Sequence, residues 1–350
     1  MPSVLEESLL RSGATIRDAI ETIDRSLHKI ALIVDERGRL TGTVTDGDIR
    51  RALLAGKTTE QSAESIMYRE PITAPADGSF AEAERAALRR HIRKVPVLDS
   101  DGQVVAIHTV DVVGSGPLAE NEVVLMAGGM GTRLQPLTDK SPKPLLDVGE
   151  KPMLETIVDQ LVAQGFRKFY FSVRYKAEMV EAHFGDGARW DADFRYLHEE
   201  APLGTAGALS LLPTRPSLPF IVMNADVLTK VDLMHLLDFH EQCGAVATMC
   251  VRAYDYQIPF GVVATDGANV LSIEEKPVQN FFVNAGIYAM SPEVLDRVSP
   301  QCRLDMPDLF NGLIDDHRKV SAFPIREYWI DVGRHEDYRR ANDDYAGEFA

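Results

Sequence analysis

Apolar runs and polar turns along the first third of the chain follow a pattern that occurs twice. The first copy reads Lys29-Ile30-Ala31-Leu32-Ile33-Val34-Asp35-Glu36-Arg37-Gly38, and the second reads Lys94-Val95-Pro96-Val97-Leu98-Asp99-Ser100-Asp101-Gly102. One residue is gained or lost inside the apolar run, after which Asp35/Asp99, Gly38/Gly102 and Thr45/Thr109 keep one offset. Each copy predicts a helix, over residues 16–26 or 80–91, then a strand, an Asp-x-x-Gly turn and a second strand. The pattern indicates two copies of one small module.

This duplicated pattern resembles a tandem pair of cystathionine β-synthase (CBS) domains, a small α+β module, over residues 1–114. In such pairs a Gly-x-x-Thr-x-x-Asp segment places a hydroxyl at the phosphates and a carboxylate on the ribose of an adenosine-type ligand. The first copy has this spacing as Gly42, Thr45 and Asp48, whereas Val112 stands where the second copy would need the Asp. The resemblance implies at most one regulatory nucleotide site, at Thr45 and Asp48. The alternative is that these two residues cap and begin the following helix.

A different periodicity follows residues 114–117, Gly-Ser-Gly-Pro, which predict a linker that we extend over residues 115–121. Between residues 122 and 350 the predicted strands are residues 123–126, 169–173, 220–223 and 246–251, with predicted helices at 153–164, 206–212 and 233–243. Alternation of this kind predicts an α/β domain with a Rossmann-like, mostly parallel sheet covered by helices on both faces. Ligands bind such sheets beyond the carboxyl ends of the strands.

The charge balance restricts the partners that the chain can have. Lys and Arg total 37 against 53 Asp and Glu, a net charge of −16, spread along the chain. We therefore expect no nucleic-acid surface, and an anionic ligand must meet cations gathered at one place. The N-terminus has no leader pattern and no run of about eighteen apolar residues occurs, so we expect no membrane segment. Three cysteines without paired spacing argue against a disulfide scaffold or a zinc site and favour the cytoplasm.

A glycine-rich turn follows the predicted strand 123–126 and reads Ala127-Gly128-Gly129-Met130-Gly131-Thr132-Arg133-Leu134. Glycines let the backbone N–H groups approach a phosphate closely. The turn lacks the Lys-Ser/Thr of a Walker loop and the last glycine of a dinucleotide fingerprint. Farther on, Pro142 and Pro144 stiffen the segment that presents Lys143. Arg133 and Lys143 predict a pocket that binds an anion. The alternative is that both are ordinary surface cations on a loop.

The full run Gly-Gly-x-Gly-Thr-Arg-Leu-x-Pro-Leu-Thr, followed by Pro-Lys-Pro-Leu, resembles the signature of sugar-1-phosphate nucleotidyltransferases. The resemblance extends from Glu122 to about Tyr345 and implies the fold of nucleotide-diphospho-sugar transferases. The positions that match the family's catalytic residues are Arg133, Lys143, Asp226 and Asp331. Those that match its nucleotide-binding residues are Ala127, Gly128, Gly129, Gly131, Thr132, Gly204 and Thr205. Gly261, Glu275, Lys276 and Asn284 match its sugar-phosphate contacts, and their alternative role is that of a salt-bridged strand end with turn residues.

Two strand-end carboxylates suggest a metal site. Asp226 and Asp331 each follow an apolar run and could together hold Mg²⁺ while leaving positions for phosphate oxygens. In the family the matching residues bind this metal, whereas a lone strand-end Asp is more often a cap or turn former. The reaction that the resemblance implies is attack of a sugar-1-phosphate on the α-phosphorus of a nucleoside triphosphate, with release of pyrophosphate. Catalysis then consists of alignment and charge stabilisation.

The choice of nucleotide and sugar is a finer expectation. The sequence at Asn224-Ala225-Asp226 and at Leu203-Gly204-Thr205 resembles that of guanylyltransferases of the mannose-1-phosphate type. A CBS pair joined to such a domain also resembles bacterial guanylyltransferases that act on glucosamine-1-phosphate in legionaminic acid pathways. Guanine offers two adjacent N–H donors, and one carboxylate can accept a hydrogen bond from each. Glu199 or Glu200 is therefore the residue expected to recognise the base, and the alternative is that the two form a solvated acidic strand end.

Other roles stay open from the sequence alone. A thymidylyl- or uridylyltransferase of the same fold would carry the same loop and strand-end residues. A catalytically silent CBS-based nucleotide sensor would need broken catalytic positions, and all of those named above are present. We also expect a homo-oligomer, since CBS pairs often stack with one another.

Overall fold

The computed structural model of the chain describes residues 5–89, 92–110 and 118–349. The chain divides into two compact units, Met1–Pro117 and Leu118–Ala350. The predicted linker at residues 114–117 and the predicted contrast at Val112 lie outside the described residues, as does the end of the predicted helix at His91. Among the described residues, no helix combines the length and apolar character needed to cross a membrane.

The first unit contains two small sheets, each with a helix beside it. Its strands are β1 (Leu9–Arg11), β2 (Ile30–Val34), β3 (Leu40–Thr45), β4 (Ala74–Pro75), β5 (Lys94–Leu98) and β6 (Val104–Thr109). Its helices are α1 (Ile16–Arg25), α2 (Asp46–Leu54) and α3 (Ala81–Arg89). The sheet orders are β1-β2-β3 and β4-β5-β6, and in each sheet the first pair is parallel and the second antiparallel. The predicted duplication is therefore confirmed.

The two copies agree residue by residue through their central strands. Ile30 lies opposite Thr45 and Lys94 lies opposite Thr109, so both pairs keep the same spacing. The prediction of an extra residue inside the apolar run is wrong, because equivalent strands begin and end at equivalent positions. Asp35 Oδ1 accepts the N–H groups two and four residues on, both at 2.9 Å, and Asp99 Oδ1 does the same at 3.0 and 2.8 Å. These contacts confirm the predicted Asp-x-x-Gly turns.

The second unit is an α/β domain. Its strands are β7 (Ala119–Met126), β8 (Asp147–Val148), β9 (Lys151–Pro152), β10 (Phe166–Val173), β11 (Asp193–His198), β12 (Phe220–Asn224), β13 (Val227–Thr229), β14 (Ala247–Gln257), β15 (Gly261–Asp266), β16 (Asn269–Glu275), β17 (Val278–Met290), β18 (Val320–Ile325) and β19 (Trp329–Asp331). Its helices are α4 (Met153–Ala163), α5 (Ala177–Phe184), α6 (Gly204–Gly207), α7 (Leu233–Cys243), α8 (Met306–Asp315) and α9 (His335–Glu348).

Seven of these strands form one mixed sheet, in the order β11-β10-β7-β12-β17-β14-β18. Neighbours are parallel except where β17 runs antiparallel to β12 and β14. The sheet is therefore mostly parallel, as predicted. β7 and β12 lie side by side at its centre, so the segments that follow their carboxyl ends emerge next to each other. β7 begins at Ala119, ahead of the predicted domain start at residue 122.

Alternation along the central strands places helices on both faces of the sheet. Val123 and Leu125 belong to the core that is packed against α4, α5, α7 and α9, whereas Val124 belongs to the core that α8 covers. Successive side chains of a strand point to opposite faces, so an apolar run such as 123–125 must be buried on both sides. The sequence prediction of a doubly covered sheet is confirmed.

Beyond Arg252 and its partner Val283, β14 and β17 continue as a pair without a third strand, and the β15–β16 hairpin extends them. We call residues 253–282 the ribbon. Its residues are exposed, apart from half-buried Ile258 and Pro277. The sequence patterns did not predict this element.

Candidate active site

The candidate site lies where β7 and β12 end. The loop from Ala127 to Gly131 follows β7, and Asp226 follows β12 by two residues. Ala225 N–H donates to the Met126 carbonyl at 3.2 Å, which ties the two strand ends together. The glycine-rich turn and the strand-end carboxylate, predicted separately, therefore meet at one edge of the sheet.

The glycine-rich loop is closely packed at one glycine and open at another. Gly131 has φ +63°, and a Cβ there would lie 2.9 Å from Thr138 Cγ2 and 3.0 Å from Lys143 Cβ. The Thr138 hydroxyl donates to the Gly131 carbonyl at 3.0 Å. A Cβ on Gly129, by contrast, would meet no atom within 4 Å. The loop thus rests on the turn that carries Thr138 and leaves Gly129 and the exposed Thr132 free to face a ligand.

Lys143 is a buried cation at the centre of the site. It begins a short 3₁₀ turn, Lys143–Leu145, and its residue is 8% exposed. Its Nζ donates to Oδ2 of Asp226. The other carboxylate oxygen, Oδ1, is buried and accepts no hydrogen bond from any described residue. A buried carboxylate oxygen without a donor is costly, so Oδ1 is suited to an additional positive group.

Asp331 is held beside Asp226 by a pair of short strands. β13 and β19 are antiparallel, with Val227 opposite Asp331. Val332 N–H donates to the Asp226 carbonyl at 2.9 Å. A Cβ on Gly333 would lie 3.4 Å from Asp331 Oδ1 and 3.7 Å from an Arg133 guanidinium nitrogen, which places that guanidinium near the Asp331 carboxylate.

The charges at this cluster influence one another. Burial of the Asp331 carboxylate and, after it, the neighbouring Asp226 carboxylate together raise the pKa of Asp331 to about 6, although part of the side chain reaches solvent. Lys143 and Arg133 oppose that rise in pKa. Two carboxylates this close disfavour their joint ionisation, whereas a cation between them favours it. The donor set therefore fits a divalent cation that binds through one or two carboxylates and completes its shell with phosphate oxygens and water.

Glu199 packs against the glycine-rich loop. Ser172 Oγ donates to its Oε1 at 2.5 Å, and Leu203 N–H donates to its Oε2 at 3.0 Å. A Cβ on Gly128 would lie 2.5 Å from the same Oε1, so the carboxylate occupies the space in front of this glycine. Of the two predicted base readers, Glu199 therefore borders the loop, whereas Glu200 is exposed and makes no hydrogen bond or ion pair with a described residue.

Gly204 and Thr205 are engaged in packing on the chain itself. Thr205 N–H donates to Asp305 Oδ1 at 3.1 Å, and Met306 N–H donates to Thr205 Oγ1 at 2.8 Å. Gly204 has φ +78°, and a Cβ there would lie 2.6 Å from Asp305 Oδ1. These reciprocal caps join α6 to α8 and fix the segment that begins at Leu203. The nucleotide-binding role of Gly204 and Thr205 stays a prediction.

The predicted sugar-phosphate residues lie mostly on the ribbon. Gly261 pairs with Glu275 across β15 and β16, and a Cβ on Gly261 would lie 3.0 Å from Glu275 Oε2. Lys276 has φ +49°, and its carbonyl accepts from the Gln257 side chain at 3.4 Å. Asn284 lies at the base of the ribbon, where its Nδ2 donates to the Tyr288 hydroxyl at 2.7 Å. The hydrogen bonds of the described residues do not join these four residues to Asp226 or Asp331.

Arg174 is a cation at this edge that the sequence analysis missed. It directly follows β10, the strand beside β7, and its Cβ lies 3.6 Å from where a Cβ on Gly128 would be. It is half-buried, and its guanidinium forms no hydrogen bond or ion pair with a described residue. The signal was available, since Arg174 stands immediately after a predicted strand at the edge where ligands bind.

Thr45 and Asp48 form a capping box at the start of α2. Asp48 Oδ2 accepts from the Thr45 N–H at 2.9 Å and from its hydroxyl at 2.7 Å. Asp48 Oδ1 accepts from Arg51 at 2.6 Å. Both predicted ligand groups are thus engaged with each other, as the alternative interpretation of these residues described.

Comparison with known proteins adds a family to this geometry. The family model described as nucleotidyl transferase matches residues 122–348, and the CBS domain model matches residues 9–55 and 63–107. The mannose-1-phosphate guanyltransferase of Schizosaccharomyces pombe is 35% identical over 226 residues, which cover 62% of this chain and 62% of that protein. The mannose-1-phosphate guanylyltransferase of Mycobacterium tuberculosis is 34% identical over 232 residues, 64% of each chain. The match thus spans less than two thirds of these relatives' own length.

Among solved structures, HddC from Yersinia pseudotuberculosis complexed with GMP-PN is similar in fold to part of this chain. Its sequence is 25% identical, the TM-score is 0.50, and the match covers 64% of this chain and 99% of that one. The family-model match at residues 122–348 contains the loop, the buried lysine and the two carboxylates.

Proposed function

This chain belongs to the nucleotidyl transferase family, and we propose that it joins GTP to a sugar-1-phosphate and releases pyrophosphate. In this reaction an oxygen of the sugar phosphate forms a bond to the α-phosphorus, and the bond between that phosphorus and the oxygen that leads to the β-phosphate breaks. The attacking phosphate is ionised near neutral pH, so the site needs neither a general base nor a covalent nucleophile. We assign the reaction to the second unit, Leu118–Ala350, and a regulatory role to the first unit, Met1–Pro117. We propose the cytoplasm as the location, which the cysteine pattern favours.

The observation that carries this proposal is the convergence of two cations and two carboxylates beside a glycine-rich loop. Arg133, Lys143, Asp226 and Asp331 come from four separate segments and meet at the carboxyl edge of the sheet. An anionic ligand needs local positive charge in a chain with net charge −16. A triphosphate that lies on the loop would receive that charge from Arg133 and Lys143.

Members of this family generally use a divalent metal ion, and we propose Mg²⁺ for this chain. Asp226 and Asp331 would hold it, because Asp226 Oδ1 is buried without a donor and the two carboxylates disfavour each other's charge. When bound, the ion would supply positive charge to the phosphate oxygens. Lys143 would orient the Asp226 carboxylate through its hydrogen bond to Oδ2.

The chain's own residues would align the two substrates. The packing of Gly131 on Thr138 and Lys143 fixes the loop, and the open side of Gly129 allows a phosphate to approach the backbone. Lys276 would bind the phosphate of the sugar substrate and Glu275 its hydroxyls, and Gly261 and Asn284 would also contact the sugar. This half of the proposal rests on the family match of the second unit, since these residues lie on and beside the ribbon. Preorganised charge of this kind typically accounts for on the order of a hundred- to thousandfold in rate per donor removed.

We infer GTP as the nucleotide because Glu199, which borders the loop, can accept hydrogen bonds from the two adjacent N–H donors of guanine. The names of the two curated relatives, and the GMP-PN of the HddC complex, support the same choice. We propose mannose-1-phosphate or glucosamine-1-phosphate as the sugar. The CBS match supports a regulatory nucleotide on the first unit, at Thr45 and Asp48.

The test is a matrix of GTP, dTTP, UTP, CTP and ATP against mannose-1-phosphate, glucosamine-1-phosphate and glucose-1-phosphate, with pyrophosphate release as the readout. We expect turnover with GTP and one of the first two sugars, and little without Mg²⁺. Turnover only with dTTP or UTP would assign the chain to the thymidylyl- or uridylyltransferases. No turnover with any pair, together with nucleotide binding by the full chain, would favour the silent sensor.

A further inference from the structure

Helix α9 contacts the backbone of the segment that presents Lys143. The Tyr338 hydroxyl donates to the Asp147 carbonyl at 2.6 Å. The Gly149 N–H donates to Asn342 Oδ1 at 3.0 Å. Both contacts lie beyond Lys143 in the chain and are made to backbone groups, so they fix the path of the segment itself.

A third contact from α9 reaches the 3₁₀ turn Thr132–Leu134, which we call the Arg133 turn. His335 Nε2 donates to the carbonyl of Gln135, the residue that directly follows this turn, at 2.9 Å. A carbonyl can only accept, so Nε2 carries the hydrogen. His335 itself is exposed, and the residues that α9 buries in the core are Ala341 and Tyr345. The helix is therefore fastened without His335, whose contact acts on the Arg133 turn.

A rigid link joins His335 to the strand end that carries Asp331. Val332 N–H donates to the Asp226 carbonyl at 2.9 Å, and Gly333 N–H donates to the Asp331 carbonyl at 2.8 Å. The backbone that leads from Asp331 to α9 is thus held by hydrogen bonds. His335 consequently has a fixed position relative to the two carboxylates.

We propose that His335 is a positioning residue for the nucleotide, because it joins the Arg133 turn to the strand end of Asp331. This inference rests on the proposed function, in which Arg133 supplies charge to the triphosphate and Asp331 holds the cation. Without the bond to Gln135, the turn would move relative to the cation site, and binding of the triphosphate would have to order it. The Arg133 guanidinium already lies against the link, 3.7 Å from where a Cβ on Gly333 would be. The bond from His335 therefore reduces the motion that remains in the turn.

The test compares His335→Gln with His335→Asn in the full chain. The Gln amide nitrogen extends about as far from the backbone as Nε2 and keeps the donor, whereas the Asn amide is shorter and does not reach the Gln135 carbonyl. We expect His335→Asn to raise the KM for GTP about fivefold, the factor that one net hydrogen bond supplies, and His335→Gln to stay near wild type. The KM for the sugar phosphate should not change. Arg340→Gln, which breaks an exposed pair with Asp344 on the same helix, is the control.

A purely structural role for His335 predicts a different result. A variant that merely unfolds more readily has fewer folded molecules, so its apparent kcat falls while its KM for GTP stays unchanged. An unchanged KM for GTP in His335→Asn would overturn the proposal. The same rise in KM in His335→Gln as in His335→Asn would also overturn it, because the effect would not follow the hydrogen bond.

Amide hydrogen exchange without substrate separates this inference from the proposed function. The N–H groups of Leu134 and Gln135 donate to carbonyls of the glycine-rich loop and the Arg133 turn at 2.9 and 3.3 Å, so their exchange reports opening of the turn. Exchange at both amides should be about fivefold faster in His335→Asn than in His335→Gln. Equal exchange in the two variants would overturn the role of His335, whether or not the chain turns over. Absence of turnover in the wild type, together with this difference in exchange, would count against the proposed function alone and would keep His335 as the residue that holds the turn.

Discussion

Lys143 and Asp226 form an ion pair that leaves one oxygen of the Asp226 carboxylate, Oδ1, buried and without a hydrogen-bond donor among the described residues. Lys143 supplies one positive charge, which balances the charge of Asp226 but not that of a second carboxylate beside it. Asp331 is instead held there by β13 and β19, at the cost of placing two negative groups together. This arrangement is costly for the folded chain alone and favourable once a cation binds.

Asp226→Asn and Asp331→Asn should each lower kcat by on the order of a hundred- to thousandfold, because each removes charge from the proposed cation site. The fold should persist, since neither carboxylate belongs to the apolar core. The measurement is pyrophosphate release across a Mg²⁺ titration. Asp193→Asn is the control, as Asp193 pairs with Arg195 at an exposed surface. Turnover close to wild type in either site variant would remove that residue from the metal site.

Arg174→Ala should raise the KM for the nucleoside triphosphate by about tenfold and change the KM for the sugar phosphate little, because Arg174 borders Gly128 in the glycine-rich loop. Arg174→Lys should restore part of the effect, since it keeps the charge without the planar fork. The melting temperature should not fall, because no hydrogen bond to a described residue is lost. Arg215→Ala, which breaks a surface pair with Asp296, serves as the control. An unchanged nucleotide KM would show that Arg174 does not touch this substrate.

The sequence patterns predicted the double-sided sheet and the meeting of the loop with Asp226, because both follow from buried strands and parallel topology. They could not predict the pairing of Val227 with Asp331, which joins strands about a hundred residues apart. The predicted helix at residues 206–212 is instead the short α6 followed by a 3₁₀ turn, Ala208–Leu211. A tertiary contact explains the difference, because the N–H groups of Ala206 and Gly207 both donate to the Leu304 carbonyl at 2.9 Å.

Individual site residues divide in the same way. Lys143 was predictable because its flanking prolines define the segment, whereas Arg174 was missed although it directly follows a predicted strand. The ribbon was missed because β15 and β16 are exposed on both faces, so their sequences carry no alternation of apolar and polar residues.

Glu199→Gln should lower the preference for GTP over ATP, and Glu200→Gln should leave it unchanged. The amide that replaces one Glu199 oxygen would face a donor, either Ser172 Oγ–H or the Leu203 N–H, so one hydrogen bond is lost. The free energy of unfolding should fall by about 1 kcal/mol in Glu199→Gln for the same reason. The measurements are kcat/KM with each nucleotide and urea unfolding. Equal nucleotide ratios in both variants would separate Glu199 from base recognition.

Thr45→Ala should lower the free energy of unfolding of the first unit by about 1 kcal/mol, because it removes the hydroxyl of the capping box that begins α2. Thr15→Ala is a matched control, since Thr15 forms the corresponding capping box with Asp18 at the start of α1. Calorimetry of the full chain with AMP, ATP and GTP then separates the two roles. Weaker binding in Thr45→Ala than in Thr15→Ala would support a regulatory nucleotide at Thr45, and equal binding would leave Thr45 with a capping role only.

His240 should make the second unit lose stability as the pH falls. The residue is 1% exposed on α7, with Nδ1 2.9 Å from Thr248 Oγ1 and Nε2 3.0 Å from Ser291 Oγ. Burial lowers the pKa of His240 to about 4. In the unfolded chain the imidazole titrates at about 6.5, so between these values the unfolded state binds more protons. The stabilisation is therefore fully present above pH 6.5 and is lost as the pH falls toward 4.

Urea unfolding at pH 7 and pH 5 measures this effect. The wild-type chain should lose about 2 kcal/mol more of its free energy of unfolding between these pH values than His240→Gln, because the variant has no imidazole to protonate at this site. His198→Gln, at a side chain 61% exposed, should lose as much as the wild type. Comparison between variants removes the contribution of carboxylates, which titrate in all three proteins. The same loss in His240→Gln as in the wild type would show that protonation of the buried imidazole does not drive the acid sensitivity of this unit.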